Sequence, residues 1–437
     1  MTLNDWLDRI ENLHPVKWDL GLERVGEVAK RLSVIKPAPV VFLVAGTNGK
    51  GSTCEYLEQF CLVQGSSVGK ATSPHLLRFN ERIVINGKPA TDEEICQAFE
   101  AIDQVRGEIS LSYFEYSTLA ALLVFRDRKV EVAVLEVGLG GRLDAMNIVD
   151  PDVSVITQIA MDHESWLGNS LDEIATEKAG VMRTGKSCVV AESTPPDSIR
   201  RCAQEKACEL FVNGEHFTFT AEMAFCTSVT GEIHHFVAPG QGHLPAPSAA
   251  SAMQAMVCAG FRLDESDLRK VLQTTRLAGR MQWLAGERHV LLDVAHNPNA
   301  ACYLKSYLQS QQSPPGRTAI HAVVGMYADK DCESVFSILS DCVDHWHLTG
   351  MDDPRAATTV ELRACLSARL PAQRGCAVST YGKVAHAYSS ALEATSEDDL
   401  VLVFGSFPVV ATVLALESVR ELQPSEGFST VGSGTDS

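Results

Sequence analysis

Val40-Val41-Phe42-Leu43-Val44-Ala45-Gly46-Thr47-Asn48-Gly49-Lys50-Gly51-Ser52 joins an apolar run to a glycine-rich turn. The apolar run Val40 to Val44 reads as a buried parallel strand, and Cys54 to Val63 reads as a helix. A strand, a glycine-rich turn and a helix together cradle a nucleotide phosphate. Glycines let backbone N–H groups approach the oxyanion, the helix N-terminus adds partial positive charge, and a lysine reaches the terminal phosphates. The stretch departs from the strict pattern twice. Val44 stands where a glycine is wanted, and Gly51 stands where a hydroxyl should directly follow the lysine. Between this strand and this helix, the turn still reads as a phosphate binder.

The composition narrows what the phosphate serves. At 437 residues the chain exceeds what one core usually supports, so two domains are expected. The net charge of −18, from 37 Lys and Arg against 55 Asp and Glu, argues against a non-specific nucleic-acid or membrane-surface binder. Anions must then be held by local cations and helix ends. No apolar run approaches the ~18–20 residues of a membrane span, and Met1 to His14 reads as an amphipathic helix rather than a signal peptide. The 13 cysteines form no Cys-x-x-Cys pair and read as scattered core thiols in a reducing compartment. The expectation is a cytoplasmic monomer with small-molecule partners, no nucleic acid and no membrane.

Outward from the turn, the fold class reads as α/β. Ser67 to Ala71 is the next strand, and Arg82 to Asn86 is a short strand entering an Asn-Gly turn. Thr91 to Glu94 is a capping box opening a helix to about Val105, and Ser117 to Arg126 is an apolar helix. Strands Val130 to Val137, Val153 to Ile159 and Ser187 to Ala191 follow, with a helix from Leu171 to Lys178. This is a doubly wound pattern with ligands at the carboxyl ends of the strands. Residues 192–247 are less regular, with β-like runs at Phe217 to Phe225 and Ile233 to Val237 before helices at Ser248 to Ala259 and Asp264 to Gln273. A second α/β series starts with the strand Val290 to Val294 and ends in a helix from Val409 to Val419. The expected layout is an N-terminal P-loop-type ATPase domain over residues 1–280, a C-terminal Rossmann-like domain over 281–422 and a disordered tail over 423–437.

Chemistry-bearing residues gather at strand ends. Glu136 closes an apolar strand, where a carboxylate across from the phosphate turn suits Mg²⁺, which takes hard oxygen ligands and bridges to phosphates. His163 lies just past another strand, although a single histidine is more often structural. Ser73 follows the second strand and says little by itself. Gly138 to Asp144 resembles a dinucleotide fingerprint, but Leu143 occupies the third glycine position and no clean helix opens there. In the second half, Asp293-Val294-Ala295-His296-Asn297-Pro298 follows an apolar strand, a placement that suits a ribose hydroxyl and a phosphate. Arg280 stands at the boundary, where it reads equally as a phosphate ligand or a solvated hinge residue.

Taken in order, Gly46 to Ser52, Ser73-Pro74-His75, Glu136 to Asp144, Asp162-His163, Glu177-Lys178-Ala179-Gly180 and Asp293 to Pro298 resemble the folylpolyglutamate synthase family. The resemblance is strongest to its bifunctional dihydrofolate synthase/folylpolyglutamate synthases, relatives of the Mur ligases, and spans about residues 3 to 420. It implies a two-domain ligase with its active site between the domains. It further implies that Asn48, Gly49, Lys50 and Gly51, with Ser52 beside them, bind ATP phosphates. Ser73, Glu136 and His163 would ligate two Mg²⁺ ions, helped by Lys178 as a carbamate; without the resemblance, Lys178 reads as an exposed helix lysine. Arg280 and Asp293 would contact ATP, with His296 nearby. Asp19, Leu20 and Gly21, Ser112, Tyr113, Phe114 and Glu115, and Leu143, Asp144 and Ala145 match pteroate-contacting segments. Two departures stand out: Ser248 replaces an asparagine that contacts ATP, and Pro408 replaces a histidine. A serine offers fewer hydrogen bonds than an amide. The implied reaction passes the γ-phosphoryl of ATP to a pteroate or folate carboxylate, and the amine of L-glutamate then attacks the acyl phosphate. A P-loop switch or kinase, a non-catalytic pterin binder and a Mur-type ligase for a cell-wall precursor are the competing readings.

Overall fold

The computed structural model describes residues 1–14, 21–161, 164–237, 239–286, 288–310, 319–368 and 376–422. Asp19, Leu20, His163 and the tail 423–437 lie outside the described residues. The chain divides into two compact units, Met1–Met281 and Gln282–Ser437.

The first unit is built on an eight-stranded sheet. Its strands are β1 (Val40–Ala45), β2 (Val68–Ala71), β3 (Ile83–Ile85), β4 (Lys88–Pro89), β5 (Val132–Glu136), β6 (Val153–Ile156), β7 (Ser187–Val190) and β8 (Glu209–Val212), in the order β4-β3-β2-β5-β1-β6-β7-β8. All pairs are parallel except β2–β3 and β3–β4. Strand β1 is buried on both faces, as its unbroken apolar run requires. Val41, Leu43 and Ala45 enter one core layer with the helices Leu3–Leu13, Glu23–Leu32, Asp92–Arg106 and Tyr113–Asp127. Phe42 and Val44 enter the other, with helices Lys50–Val63, Ala246–Cys258 and Glu265–Thr274. The Asn-Gly turn after β3 holds Asn86 at φ 50° and Gly87 at φ 75°, the positive pair that a tight hairpin demands.

Two parts of this unit differ from expectation. The irregular stretch contains helix Asp197–Glu205 and strand β8, whose charged start at Glu209 masks a strand that adds to the sheet edge. The run Phe217 to Phe225 divides into β9 (Phe217–Phe219) and β10 (Met223–Thr227), which with β11 (Ile233–Val237) form a separate antiparallel sheet. The second unit carries β12 (Gln282–Leu284), β13 (His289–Leu292), β14 (Ile320–Val324), β15 (His345–Thr349), β16 (Ala377–Tyr381) and β17 (Leu400–Phe404), ordered β12-β13-β17-β14-β15-β16. Only β12 runs antiparallel, and its three half-buried residues leave no periodic signal. Among the described residues no helix is long and apolar enough to cross a membrane.

Candidate active site

Helix Lys50–Val63 begins at the glycine turn itself, a turn earlier than its sequence suggests, with Gly49 at φ 86° as its N-cap. The unpaired N–H groups of its first turn therefore converge on the glycine-rich loop. Gly46 is required by packing: a Cβ there would stand 1.8 Å from Thr157 Oγ1. Thr47 ties the loop to the segment after β6, its N–H donating to the Gln158 carbonyl (2.6 Å) and its hydroxyl to that of Ala160 (3.1 Å). Asn48 forms an isolated bridge with Gln158. Lys50 curls over the loop, Nζ donating to the carbonyls of Gly46 (3.0 Å) and Thr47 (3.1 Å). Ser52 is buried in the first helical turn. Ser248, buried on helix Ala246–Cys258, donates through Oγ to the Gly49 carbonyl at 3.4 Å. The residue that replaces asparagine thus touches the loop, with a single long hydrogen bond.

Glu136 ends β5 beside both β1 and β2 and is only 5% exposed, which removes the surface-carboxylate reading. Its Oε2 accepts the Ser73 N–H at 3.0 Å. A Cβ on Gly51 would lie 3.8 Å and 3.9 Å from its two oxygens, ordinary contact distances that set this carboxylate against the phosphate loop. Burial pushes the Glu136 carboxyl above the ordinary range; Lys50, the Ser73 N–H, Arg280 and Arg82 pull it back. A buried carboxylate in a cationic surround, with the Ser73 backbone bound to it, offers the hard oxygen donors that a divalent cation takes. Among the described residues no three His, Cys, Asp or Glu side chains converge to hold a metal unaided. Arg280 follows Gly279, which stands at φ 68°; the arginine is half-buried and its charge acts on Glu136.

Lys178 is 2% exposed at the end of helix Leu171–Lys178, so it is not the exposed helix lysine its sequence suggests. Two glycines pack its backbone tightly against a neighbouring segment. A Cβ on Gly141 would lie 2.7 Å from the Glu177 carbonyl oxygen, and one on Gly180 would lie 2.4 Å from Arg142 Cα. The Arg142 N–H donates to the Glu177 carbonyl (2.8 Å), and its guanidinium pairs with the Glu177 side chain (2.9 Å). The motif rejected as a dinucleotide fingerprint is thus a backbone-to-backbone seam that fixes Lys178. Gly180→Ala is expected to destabilise the unit by about 1–3 kcal/mol through this clash, seen as a fall of several degrees in Tm.

The segments matched to pteroate contacts use their polar groups locally. Ser112 and Glu115 form a capping box on helix Tyr113–Asp127, which therefore starts a turn earlier than its apolar run, and Glu115 also pairs with Arg24 (3.1 Å). Asp144 accepts N–H groups from Leu139 and Met146, each at 2.9 Å. This leaves Tyr113, Phe114 and Leu143, all half-buried, to offer apolar surface, while Ala145 is buried. The Phe114 ring lies on Gly138, where a Cβ would meet it at 2.6 Å. Gly21 is half-buried before helix Glu23–Leu32. Burial raises the Asp144 carboxyl to about 6, against the N–H groups that favour its charge. A carboxyl raised on folding stabilises the fold most below its unfolded pKa near 4, and that contribution disappears as pH rises through about 6. Asp144→Asn should remove up to roughly 3 kcal/mol of that pH dependence, measurable as a flatter Tm profile between pH 4 and 7.

In the second unit, Asp293 follows β13, buried, its Oδ1 accepting the Ala295 N–H at 2.8 Å. His296 Nδ1 lies 2.8 Å from the Val294 carbonyl oxygen, and Asn297 caps helix Pro298–Gln309. The expected loop is present, folded around its own aspartate.

One residue near Glu136 went unnoticed in the sequence. Arg82, preceding β3, donates from Nε to His75 Nδ1 at 2.8 Å, and its guanidinium carbon lies 5.6 Å from the Phe79 ring and 5.5 Å from the Tyr113 ring. Burial, then the Arg82 charge, lowers His75 to about 4, so it accepts this bond as a neutral ring. A lone arginine at a strand start carries no local signal of this cluster.

Comparison with known proteins follows the same geometry. Residues 44–234 match the Mur ligase middle domain, and residues 279–407 the Mur ligase glutamate ligase domain. The chain is 40% identical to the dihydrofolate synthase/folylpolyglutamate synthase of Escherichia coli K12, over 96% of each protein. It is 36% identical to that of Haemophilus influenzae, over 95% of this chain and 97% of that one. Among solved structures it is similar to E. coli FolC in complex with DHPP and ADP, with a TM-score of 0.90 and 39% identity over 96% of this chain and 99% of that one. The bifunctional enzyme from Yersinia pestis with AMPPNP and Mn ion gives a TM-score of 0.87 at 40% identity, over 96% of this chain and 98% of that one.

Proposed function

Because the chain belongs to the dihydrofolate synthase/folylpolyglutamate synthase family of Mur ligases, we propose that it joins L-glutamate to 7,8-dihydropteroate and further glutamates to reduced folates. ATP is the energy source and a divalent metal ion the cofactor, as in the related complexes. A carboxylate is a poor electrophile, so the acyl substrate takes the γ-phosphoryl of ATP, and the amine of glutamate displaces phosphate from the resulting acyl phosphate. One carboxyl oxygen leaves with phosphate, and the amine loses a proton as the amide forms.

Asn48, Gly49, Lys50, Gly51 and Ser52 are assigned to the ATP phosphates, Lys50 exchanging its two loop carbonyls for phosphate oxygens. Transfer between two anions is chiefly an electrostatic problem, and Lys50 and Arg280 supply fixed positive charge beside Glu136. Ser73, Glu136 and His163 are assigned to two divalent ions, with Lys178 as a carbamate on the second. Bound there, the metal would offset phosphate charge. Carbamylation joins the lysine nitrogen to CO₂ with loss of two protons from the ammonium, turning a cation into the anion such a site needs. Ser248 touches Gly49 on the nucleotide side, and Gly21, Tyr113, Phe114 and Leu143 form the pterin side.

The buried Glu136 carboxylate lying against Gly51 carries this reading, since a hard oxygen of the kind Mg²⁺ takes stands beside the phosphate loop. The test is to mix the chain with ATP, Mg²⁺ and labelled glutamate, offering dihydropteroate and tetrahydrofolate separately. ADP release that requires both glutamate and an acyl substrate supports the ligase; ADP release with neither present would point to a switch or kinase.

A further inference from the structure

We propose that Arg82 is a substrate-binding residue that grips a carboxylate of the acyl substrate. An arginine presents five N–H donors in a rigid fork matched to a carboxylate. At Arg82 the Nε–H donates to Nδ1 of the His75 ring at 2.8 Å. Among the described residues the two terminal nitrogens make no hydrogen bond and no ion pair.

The neighbouring carboxylates are engaged elsewhere. Glu81 accepts the backbone N–H groups of Leu76 (2.7 Å), Leu77 (2.8 Å) and Arg78 (2.7 Å). Glu136 accepts that of Ser73. A half-buried guanidinium with four donors open and no anion of its own is a receptor for one brought in by a ligand.

The surroundings say which ligand. The guanidinium carbon lies near the Phe79 and Tyr113 rings, and those rings meet edge-on with centroids 6.0 Å apart. The charge also acts on Glu136, which stands against the phosphate loop. A carboxylate held here would have an aromatic wall on one side and the phosphoryl donor on the other. Of the reactants, the acyl substrate is the one that joins an aromatic ring to such a carboxylate. Dihydropteroate carries one carboxylate, the reacting one, whereas a folate also carries the α-carboxylate of its terminal glutamate. Either would meet the same fork. The inference rests on the ligase reading above.

Arg82→Gln keeps most of the side-chain length and removes the charge, and Arg82→Lys keeps the charge without the fork. With folding checked by circular dichroism and Tm, Arg82→Gln should raise the KM for the acyl substrate roughly 10- to 100-fold, with KM for ATP and glutamate little changed. Arg82→Lys should recover part of the loss. Equal effects on dihydropteroate and tetrahydrofolate identify the reacting carboxylate, and an effect confined to tetrahydrofolate identifies the α-carboxylate. Binding without turnover gives an independent readout. The wild type should prefer dihydropteroate over its decarboxylated analogue, and Arg82→Gln should nearly erase the preference. A folded Arg82→Gln that keeps both the KM and the preference overturns the assignment, as does an effect on glutamate alone. If the wild type turns over neither acyl substrate, the ligase reading fails instead, and the analogue comparison still decides Arg82.

Discussion

Lys178→Ala is expected to cut glutamate ligation by on the order of 10³-fold while the chain remains folded. Lys178 is sealed by the Gly141–Gly180 seam, with 2% of its surface exposed. Under the proposed function this buried lysine carries a carbamate, which would supply two oxygens to a divalent ion. Alanine removes both the amine and the carboxylate it would carry. The diagnostic measurement is rescue: formate, acetate or propionate at millimolar concentration should restore part of the activity by filling the vacated space with an oxygen ligand. Activity in the variant equal to wild type would sink the carbamate role. A loss unaffected by short carboxylates, with unchanged Tm, would leave the lysine acting through its own charge instead.

Glu136→Gln should have an activity effect of similar size, on the order of 10³-fold, with the opposite effect on stability. The wild-type carboxyl is buried and its pKa is raised, chiefly by that burial. A carboxyl raised on folding favours the folded state below its unfolded pKa near 4.3, and this contribution disappears as pH climbs through the folded value. At neutral pH the ionised group therefore weakens the ligand-free fold. Glutamine keeps the shape and one acceptor for the Ser73 N–H without the charge. Thermal melts without nucleotide should place the variant above wild type at pH 7 and 8, and the gap should close towards pH 4. Adding Mg²⁺ and ATP should raise the wild-type Tm more than that of the variant. A variant less stable than wild type throughout this range would contradict a buried charge whose natural partner is a bound cation.

The fold was legible where one pattern determined one element. The β1 run, the capping box at Thr91 and the strand Ser187–Val190 lie where their residues place them, because burial on both faces or a cap leaves little freedom. Strand β8 and edge strand β12 were illegible, since short strands owe their pairing to neighbours distant in sequence. In the site, the phosphate turn and Glu136 could be read from local grammar. Lys178 could not, because its backbone is seated by a packing between segments 39 positions apart, at Gly141 and Gly180. Arg82 escaped for a related reason: His75, Phe79 and Tyr113 acquire meaning around it only once folded.

The ties that Thr47 makes to Gln158 and Ala160, and the packing of Gly46 on Thr157, bear on how fast the enzyme meets its nucleotide. Glycine-rich loops left untethered must be captured in one of many shapes, and each encounter then succeeds only as often as that shape occurs. Here the search is completed as the chain folds, because β6 and its continuation hold the loop against β1 before any ligand arrives. The loop backbone thus needs no further ordering to receive ATP, and the rearrangement left is that of the Lys50 side chain.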